Sequence, residues 1–143
     1  MQRSDFRHFY EMPVRWGDLD AFGHVNNVQF IRFLESGRVA YVEDVLGMPV
    51  GVGTGENIIL ADLQCAFRSQ LEYPGVVEVA TRVSRLGSSS FDLTAAIYRR
   101  GEAQAAATSK GVLVWFDFDA QRARPIPEHV RRAIIAYEPV APL

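Results

Sequence analysis

Residues 16–27 read Trp-Gly-Asp-Leu-Asp-Ala-Phe-Gly-His-Val-Asn-Asn, and an apolar pattern with a helical period follows them directly as far as Leu46. Two carboxylates, a glycine, a histidine and two asparagines therefore precede the one long helical pattern in the chain. Asparagine is a favoured N-cap residue, and glycine permits a sharp turn that a side chain would obstruct. The arrangement indicates a functional site at the start of a helix.

The predicted helix over residues 26–46 is apolar around more than half of its circumference. At about 100° per residue, one wide arc carries apolar and small residues and leaves a narrow polar strip. The arc consists of Phe30, Ile31, Phe33, Leu34, Gly37, Ala40, Tyr41, Val42 and Val45. Gly47 and Pro49 end the pattern, because glycine supplies a left-handed cap and proline cannot continue the hydrogen-bond ladder. We expect this helix to be enclosed by other elements as the axis of the fold.

Strand patterns lie on both sides of this helix in the sequence. Apolar and polar residues alternate over residues 9–16 and over four longer segments after a glycine-rich loop. These segments are 57–67, 76–86, 90–99 and about 103–118, separated by turn residues. A short basic helix is predicted over 128–137, and a disordered tail over about 138–143. We expect one α+β domain, residues 1–143, in which an antiparallel sheet of five to six strands curls around the central helix.

Composition excludes several classes of function. The 143 residues carry a formal net charge of −2 and 48% are apolar, so no general field favours nucleic acid or an acidic membrane. No run of about 18 apolar residues and no signal-peptide pattern is present, and we expect a cytoplasmic protein. Cys65 is the only cysteine, which excludes an internal disulfide and favours a core position. His8, His24 and His129 lack metal-ligand spacing, so we expect neither a metal nor a cofactor.

The start of the helix can polarise a carbonyl group. Its first backbone N–H groups have no intrahelical acceptor, and the macrodipole adds about half a positive charge there. Asn26 or Asn27 suits the cap, and Gly23 lets the chain turn sharply into the helix. A carboxylate a few residues upstream, Asp18 or Asp20, could attack a carbonyl carbon or deprotonate a water. The residues alone do not choose between the two aspartates, and both also suit a purely structural turn.

Three further side chains allow two interpretations each. His24 is adjacent to the predicted carbonyl site, but it also suits a capping or packing role. Glu35 and Arg38 lie three residues apart near the apolar arc, so a partly buried ion pair is the simpler interpretation and a place in the site lining the alternative. The Gly-x-Ser-x-Gly motif is absent, so a serine nucleophile is not expected.

The segment Arg15–Arg38 resembles the signature of the hotdog-fold acyl-CoA thioesterases, in the branch of 4-hydroxybenzoyl-CoA thioesterase. The resemblance implies a hotdog fold, Asp20 as the catalytic carboxylate and a structural role for Asp18. It also implies that the backbone N–H of Asn27 meets the thioester oxygen, and we include His24 in the predicted catalytic set. In this family the site normally forms between subunits, which implies a homodimer or homotetramer that binds acyl-CoA. The residues expected to contact substrate are Gly23, Asn26, Glu35, Ser89 and Ser90.

One segment departs from the family pattern. Some members carry a basic run before a Ser-Phe pair, which grips the phosphates of coenzyme A, whereas residues 86–91 here read Leu-Gly-Ser-Ser-Ser-Phe. The phosphates must then meet other groups, such as Arg68, Arg82, Arg99, Arg131 or Arg132, or backbone and hydroxyl groups. Acyl carrier protein is an alternative carrier. Two other functions stay open. One is a hydratase, although Asp20 and His24 are separated by three residues rather than the usual four, and the other is a module that binds acyl thioesters without turnover.

Overall fold

The computed structural model describes all residues, 1–143. The elements are β1 His8–Pro13, α1 Asn27–Val45, β2 Glu56–Phe67, β3 Val76–Leu86, β4 Ser90–Arg99, β5 Ala105–Asp117, β6 Arg122–Ala123 and α2 Glu128–Tyr137. One antiparallel sheet with the strand order β1-β3-β4-β5-β2 curls around the long helix α1, and the short strand β6 pairs with β5. The predicted α+β class and the hotdog arrangement are confirmed. None of the helices combines the length and the apolarity that crossing a bilayer requires.

Helix α1 buries the predicted apolar arc against the sheet. Its buried residues are Phe30, Phe33, Leu34, Gly37, Ala40, Tyr41 and Val42. The helix packs mainly on β1, β3 and β4, and its C-terminal half also meets α2. Strand β2, at the edge of the sheet, stays largely exposed along its length. The helix therefore covers one half of the concave face more completely than the other.

Gly37 permits the close approach of α1 to β3. A Cβ atom built on this glycine would lie 2.4 Å from Cγ1 and 3.0 Å from Cβ of Val79, whose side chain is completely buried. A side chain at this position would force the helix away from the sheet. The glycine in the helical arc is thus a packing requirement, although glycine itself weakens a helix.

The first strand ends earlier than the alternating pattern predicts. The predicted strand over 9–16 is corrected to His8–Pro13, and residues 16–18 form a turn of 3-10 helix instead. Asp18 accepts hydrogen bonds from the backbone N–H and the guanidinium of Arg15, which closes this turn. A buried carboxylate that binds the chain three residues back therefore overrides the alternating pattern. The two-residue strand β6 was not predicted, because so short a pairing leaves no periodicity.

The C-terminal residues, for which the sequence predicts a tail, make backbone hydrogen bonds to β3 in this structure. The backbone N–H of Leu143 donates to the carbonyl of Ser84, and the N–H of Leu86 donates to the carbonyl of Leu143. Glu138 is buried at the start of this segment. Long-range hydrogen bonds of this kind leave no local signal in the sequence.

The Glu138 carboxylate joins three elements. Its Oε1 accepts hydrogen bonds from the Tyr41 hydroxyl of α1 and from the backbone N–H of Val83 at 2.9 Å. Oε2 is buried without a partner. Burial raises the pKa of Glu138, and the two hydrogen bonds together with the charges of Arg82 and His8 only partly offset this effect.

Gly37→Ala is expected to destabilise the fold. Overpacking a tight contact costs about 1–3 kcal/mol, whereas alanine returns at most about 1 kcal/mol of helix propensity. The free energy of unfolding, measured in urea, should fall by roughly 1–2 kcal/mol. Gly51→Ala is the matched control, because a Cβ there meets nothing within 4 Å. Equal stability of the two variants would contradict the close packing of α1 on β3.

Glu138→Gln is expected to change how stability depends on pH. Because the folded-state pKa of Glu138 lies above the ordinary value of 4.5, its contribution to stability is complete below pH 4.5 and is lost as pH rises through the folded-state pKa. The glutamine oxygen can still accept both hydrogen bonds but does not titrate. The wild type should therefore lose stability relative to Glu138→Gln between pH 4.5 and neutral pH in paired urea titrations. A constant difference between the two proteins would show that Glu138 titrates normally.

Candidate active site

Asp18 anchors the turn that leads into α1. Its side chain is almost completely buried and accepts the backbone N–H of Arg15 at 2.7 Å and the Arg15 guanidinium at 3.0 Å. Its backbone carbonyl accepts the N–H of Asn26 at 2.9 Å. Both carboxylate oxygens of Asp18 thus accept hydrogen bonds from Arg15, and this side chain stabilises the turn.

Asp20 sits in a tight turn over residues 20–24. Its backbone N–H donates to the carbonyl of His24, and its carbonyl accepts the N–H of Gly23, both at 3.0 Å. Gly23 has a φ of +82°, the left-handed conformation that favours glycine. The Asp20 side chain is half-buried, and Oδ1 accepts the backbone N–H of Phe22 at 2.9 Å. Oδ2 makes no protein hydrogen bond, so one carboxylate oxygen is available beside the start of the helix.

The first turn of α1 leaves one backbone N–H free. Asn26, not Asn27, occupies the N-cap, and its Oδ1 accepts the N–H of Val28 at 2.9 Å. The N–H groups of Gln29 and Phe30 donate to the carbonyl of Asn26. The N–H of Asn27 has no acceptor in the protein. It is therefore the donor that an incoming carbonyl oxygen can use.

His24 lies between this turn and the loop before β3. Its Nε2 is 4.0 Å from a carboxylate oxygen of Glu72, and its Nδ1 is buried without a hydrogen-bond partner. The next residue, Val25, donates its backbone N–H to the carbonyl of Leu71 at 2.8 Å. The loop that carries Leu71 and Glu72 thus belongs to the site region, and sequence reasoning missed it because only long-range contacts bring it there. Nowhere do three His, Cys, Asp or Glu side chains come together as a metal site.

Glu35 and Arg38 lie further along α1. Glu35 is eight residues beyond Asn27, which is about 12 Å along the helix axis. Its side chain is about half exposed, forms an ion pair with Arg32, and has its second oxygen 3.9 Å from the Arg38 guanidinium. The predicted contact of Glu35 with Arg38 is therefore present but is the longer of its two, and Arg32, which was not predicted, is its main partner.

Ser89 and Ser90 are not near Asp20 within one chain. Ser89 lies in the turn between β3 and β4 and Ser90 is the first residue of β4; the carbonyl of Ser89 accepts the backbone N–H of Trp115 at 2.8 Å. Trp115 packs in the hydrophobic cluster formed around the C-terminal half of α1, with Tyr41 and others. A single chain therefore places these serines at the end of the helix opposite to Asp20. Arg131, one of the predicted phosphate ligands, donates to backbone carbonyls of this turn.

Exposed aromatic and apolar side chains surround the start of α1. Phe22 in the tight turn and Val28 in the first helical turn are both largely exposed. Trp16 packs edge-on against Tyr73 and is also exposed. A cluster of this kind around polar groups is typical of a binding or assembly surface.

The sequence and the fold of this chain are similar to those of known proteins. A family model described as the thioesterase-like superfamily matches residues 14–134. The acyl-acyl carrier protein thioesterase ATL3, a chloroplastic protein of Arabidopsis thaliana, is 26% identical over 135 residues, which are 94% of this chain and 70% of the plant protein.

Solved structures agree with this match. The PA5185 protein of Pseudomonas aeruginosa strain PAO1 superposes with a TM-score of 0.87 and 28% identity, over 98% of this chain and 97% of that chain. A thioesterase of Thermus thermophilus complexed with coenzyme A and Zn superposes with a TM-score of 0.80 and 30% identity, over 97% of this chain and 98% of that chain. Because the family model covers most of its length, the chain belongs to the thioesterase-like superfamily.

Proposed function

We propose that the protein hydrolyses acyl-CoA thioesters to a free acid and coenzyme A. The observation that carries the proposal is that the short loop at the start of α1 leaves both the backbone N–H of Asn27 and one carboxylate oxygen of Asp20 without a hydrogen-bond partner in the protein. Membership of the thioesterase-like superfamily supports the reaction class, and the Thermus thermophilus neighbour is a thioesterase that binds coenzyme A.

The proposed mechanism needs no metal. The thioester oxygen accepts a hydrogen bond from the Asn27 N–H, and the positive end of the helix dipole stabilises the negative charge that develops on it. Asp20 either attacks the carbonyl carbon or removes a proton from a water that attacks it. When water attacks, the carbon–sulfur bond breaks, the thiolate of coenzyme A takes up the proton that Asp20 removed, and the water oxygen ends in the free acid. When Asp20 attacks, the thiolate leaves as the acyl-aspartyl anhydride forms; water then cleaves this anhydride to the free acid and the Asp20 carboxylate, and the proton released neutralises the thiolate. His24, the last residue of this turn, remains a proposed member of the catalytic set.

Acyl carrier protein is the second candidate carrier. The relative from Arabidopsis thaliana is an acyl-acyl carrier protein thioesterase, and the β3–β4 turn here lacks the basic run that grips coenzyme A in some thioesterases. Both carriers present the acyl group as the same thioester, so the proposed chemistry at Asp20 is common to them. Comparing the two carriers with one acyl group separates these candidates.

We further propose that two chains build the site. Strand β2 is twelve residues long, lies at the edge of the sheet and exposes Ile59, Leu60 and Phe67. A long, exposed edge strand has unpaired backbone N–H and C=O groups that can bind another strand. Pairing with the same strand of a second copy gives a closed two-fold dimer. The sheet would then continue from one chain into the other.

Antiparallel pairing of β2 with its copy would join opposite ends of the two chains. Phe67, at one end of β2, packs against Phe30 in the first turns of α1. Glu56, at the other end, accepts a hydrogen bond from Trp115, whose backbone binds the turn of Ser89. A second copy would therefore bring its Ser89 and Ser90 toward Asp20 of the first chain. In this arrangement Ser89 and Ser90 of the second copy would contact the substrate bound at Asp20 of the first chain.

Asp20→Asn is expected to abolish turnover with little change in stability. The asparagine oxygen can still accept the Phe22 N–H, but it is neither a nucleophile nor a base. Free-thiol release should be measured with acyl-CoA thioesters of several chain lengths and with the same acyl groups on acyl carrier protein. Asp119→Asn, in the exposed turn after β5, is the matched control and should remain fully active. An active Asp20→Asn variant would overturn the mechanism, and a wild type inactive on every thioester would overturn the function.

Mixed dimers of two inactive variants are expected to recover activity. Asp20→Asn removes the catalytic carboxylate, and Ser89→Glu places a negative charge where the carrier phosphates are expected. In a two-chain site, each heterodimer contains one site with both wild-type residues, so a random equal mixture should reach about a quarter of wild-type activity. The mixture is prepared by co-expression and assayed by thiol release. Absence of recovery, or a fully active Ser89→Glu homodimer, would contradict the two-chain site.

A further inference from the structure

The loop that joins α1 to β2 presents apolar side chains to solvent. Residues 50–55 read Val-Gly-Val-Gly-Thr-Gly. The side chain of Val52, near the middle of the loop, is fully exposed, and that of Val50 is partly exposed. Neither valine belongs to a hydrophobic cluster of the core. The loop therefore offers an apolar contact to whatever lies beyond the first residue of β2.

Side-chain hydrogen bonds fix the base of this loop. The amide nitrogen of Asn57, a buried residue of β2, donates to the carbonyl of Pro49 at 2.8 Å and to the hydroxyl of Thr54 at 3.3 Å. The Thr54 hydroxyl donates in turn to the carbonyl of Gly51 at 2.9 Å. These bonds tie both ends of the loop to the start of β2. The position of Val52 therefore follows the position of that strand.

The loop lies far from the candidate site of its own chain. Helix α1 has 19 residues and is about 28 Å long. Asp20 precedes the first residue of the helix, whereas the loop follows its last residue. Ile58, in the first turns of β2, packs in the cluster around the C-terminal half of α1. Within one chain, Val52 and Asp20 are thus at opposite ends of the helix.

In the proposed two-chain arrangement, the loop of one chain meets the site of the other. Antiparallel pairing places the Glu56 end of β2 beside the Phe67 end of the same strand in the second copy. Phe67 packs edge-on against Phe30 in the first turns of α1, with the ring centroids 5.4 Å apart. Loop 50–55 directly precedes Glu56. It would therefore lie beyond Phe67 of the other chain, at the end of α1 that carries Asp20.

Two exposed apolar side chains flank the reacting groups at that end. Phe22 lies in the turn of Asp20, and its backbone N–H donates to the Asp20 carboxylate at 2.9 Å. Val28 directly follows Asn27 in the first turn of the helix. The side chains of Phe22 and Val28 are 87% and 67% exposed. An acyl group bound through its carbonyl oxygen to the Asn27 N–H starts beside both, with its outer side open to solvent in a single chain.

We propose that loop 50–55 of the second copy closes over the acyl group and that Val52 contacts the acyl carbons held against Phe22 and Val28. This inference rests on the proposed thioesterase function and on the two-chain site. The preferred substrates then carry an apolar acyl chain of several carbons, because burial of that chain among three apolar side chains contributes binding free energy. An acetyl group ends one carbon beyond the carbonyl carbon and does not reach the loop. Val52 is thus a specificity-determining residue that the other chain supplies.

The first test measures the ratio of kcat/KM for octanoyl-CoA to kcat/KM for acetyl-CoA. We expect Val52→Asn to lower this ratio by about tenfold, because the amide loses water against the acyl chain without gaining a hydrogen bond. Asparagine is uncharged, so repulsion of the carrier phosphates does not contribute. Val52→Leu should keep the ratio within about twofold of wild type, since the contact stays apolar. Val140→Asn, at another exposed valine, is the matched control and should leave the ratio unchanged. An unchanged ratio in Val52→Asn would overturn the proposal.

Heterodimers identify the chain that supplies the loop. The two chains carry different affinity tags, and successive purification on both tags isolates the heterodimer. When Asp20→Asn and Val52→Asn are in the same chain, the one intact site lies beside the variant loop, and the octanoyl-to-acetyl ratio should fall as in the Val52→Asn homodimer. When the two substitutions are in different chains, the intact site lies beside a wild-type loop, and the ratio should equal that of wild type. The reverse pattern, or a monomeric wild type in analytical ultracentrifugation, would overturn the proposal.

Binding of a ligand that cannot be hydrolysed separates this inference from the proposed function. The ligands are ketone analogues of octanoyl-CoA and acetyl-CoA, and isothermal titration compares wild type with Val52→Asn. Weaker binding of the octanoyl analogue alone to Val52→Asn, with no hydrolysis of any thioester by wild type, would overturn the function and retain the loop contact. Hydrolysis by wild type, with the same octanoyl-to-acetyl ratio in Val52→Asn, would overturn the loop contact and retain the function.

Discussion

The backbone hydrogen bonds at the start of α1 are the constraint on which the site depends. The carbonyl of Asp18 holds the N–H of Asn26, and the carbonyl of His24 holds the N–H of Asp20. The Asn26 side chain then caps Val28, so the free N–H is left at Asn27 alone. Because the same short loop fixes the aspartate and the free donor, their relative position depends little on the rest of the chain. Preorganisation of this kind is what electrostatic stabilisation of a developing oxyanion requires.

The uneven position of the helix on the sheet links the fold to the proposed two-chain site. Gly37 allows α1 to pack closely on β3, and β2 and part of β5 are left uncovered. The uncovered half includes the exposed edge strand β2, with which a second copy can pair.

The parts of the fold and of the site that depend on local sequence patterns could be predicted from the sequence. The strands 76–86 and 90–99 have the predicted bounds, because hydrophobic period and turn residues determine them. Asp20 and Asn27 are close in sequence, so a motif could place them together. The hydrogen bonds between Leu143 and β3 depend instead on contacts between residues far apart in the sequence. No local pattern carries that information.

The most direct measurement is a crystal structure of the protein with a ketone analogue of an acyl-CoA, in which a methylene group replaces the thioester sulfur. Such an analogue keeps the carbonyl group and cannot be hydrolysed. We predict that the carbonyl oxygen of the analogue lies about 2.7–3.1 Å from the backbone nitrogen of Asn27 and that the Asp20 carboxylate faces the carbonyl carbon. A carbonyl group bound to other donors, away from the start of α1, would contradict it.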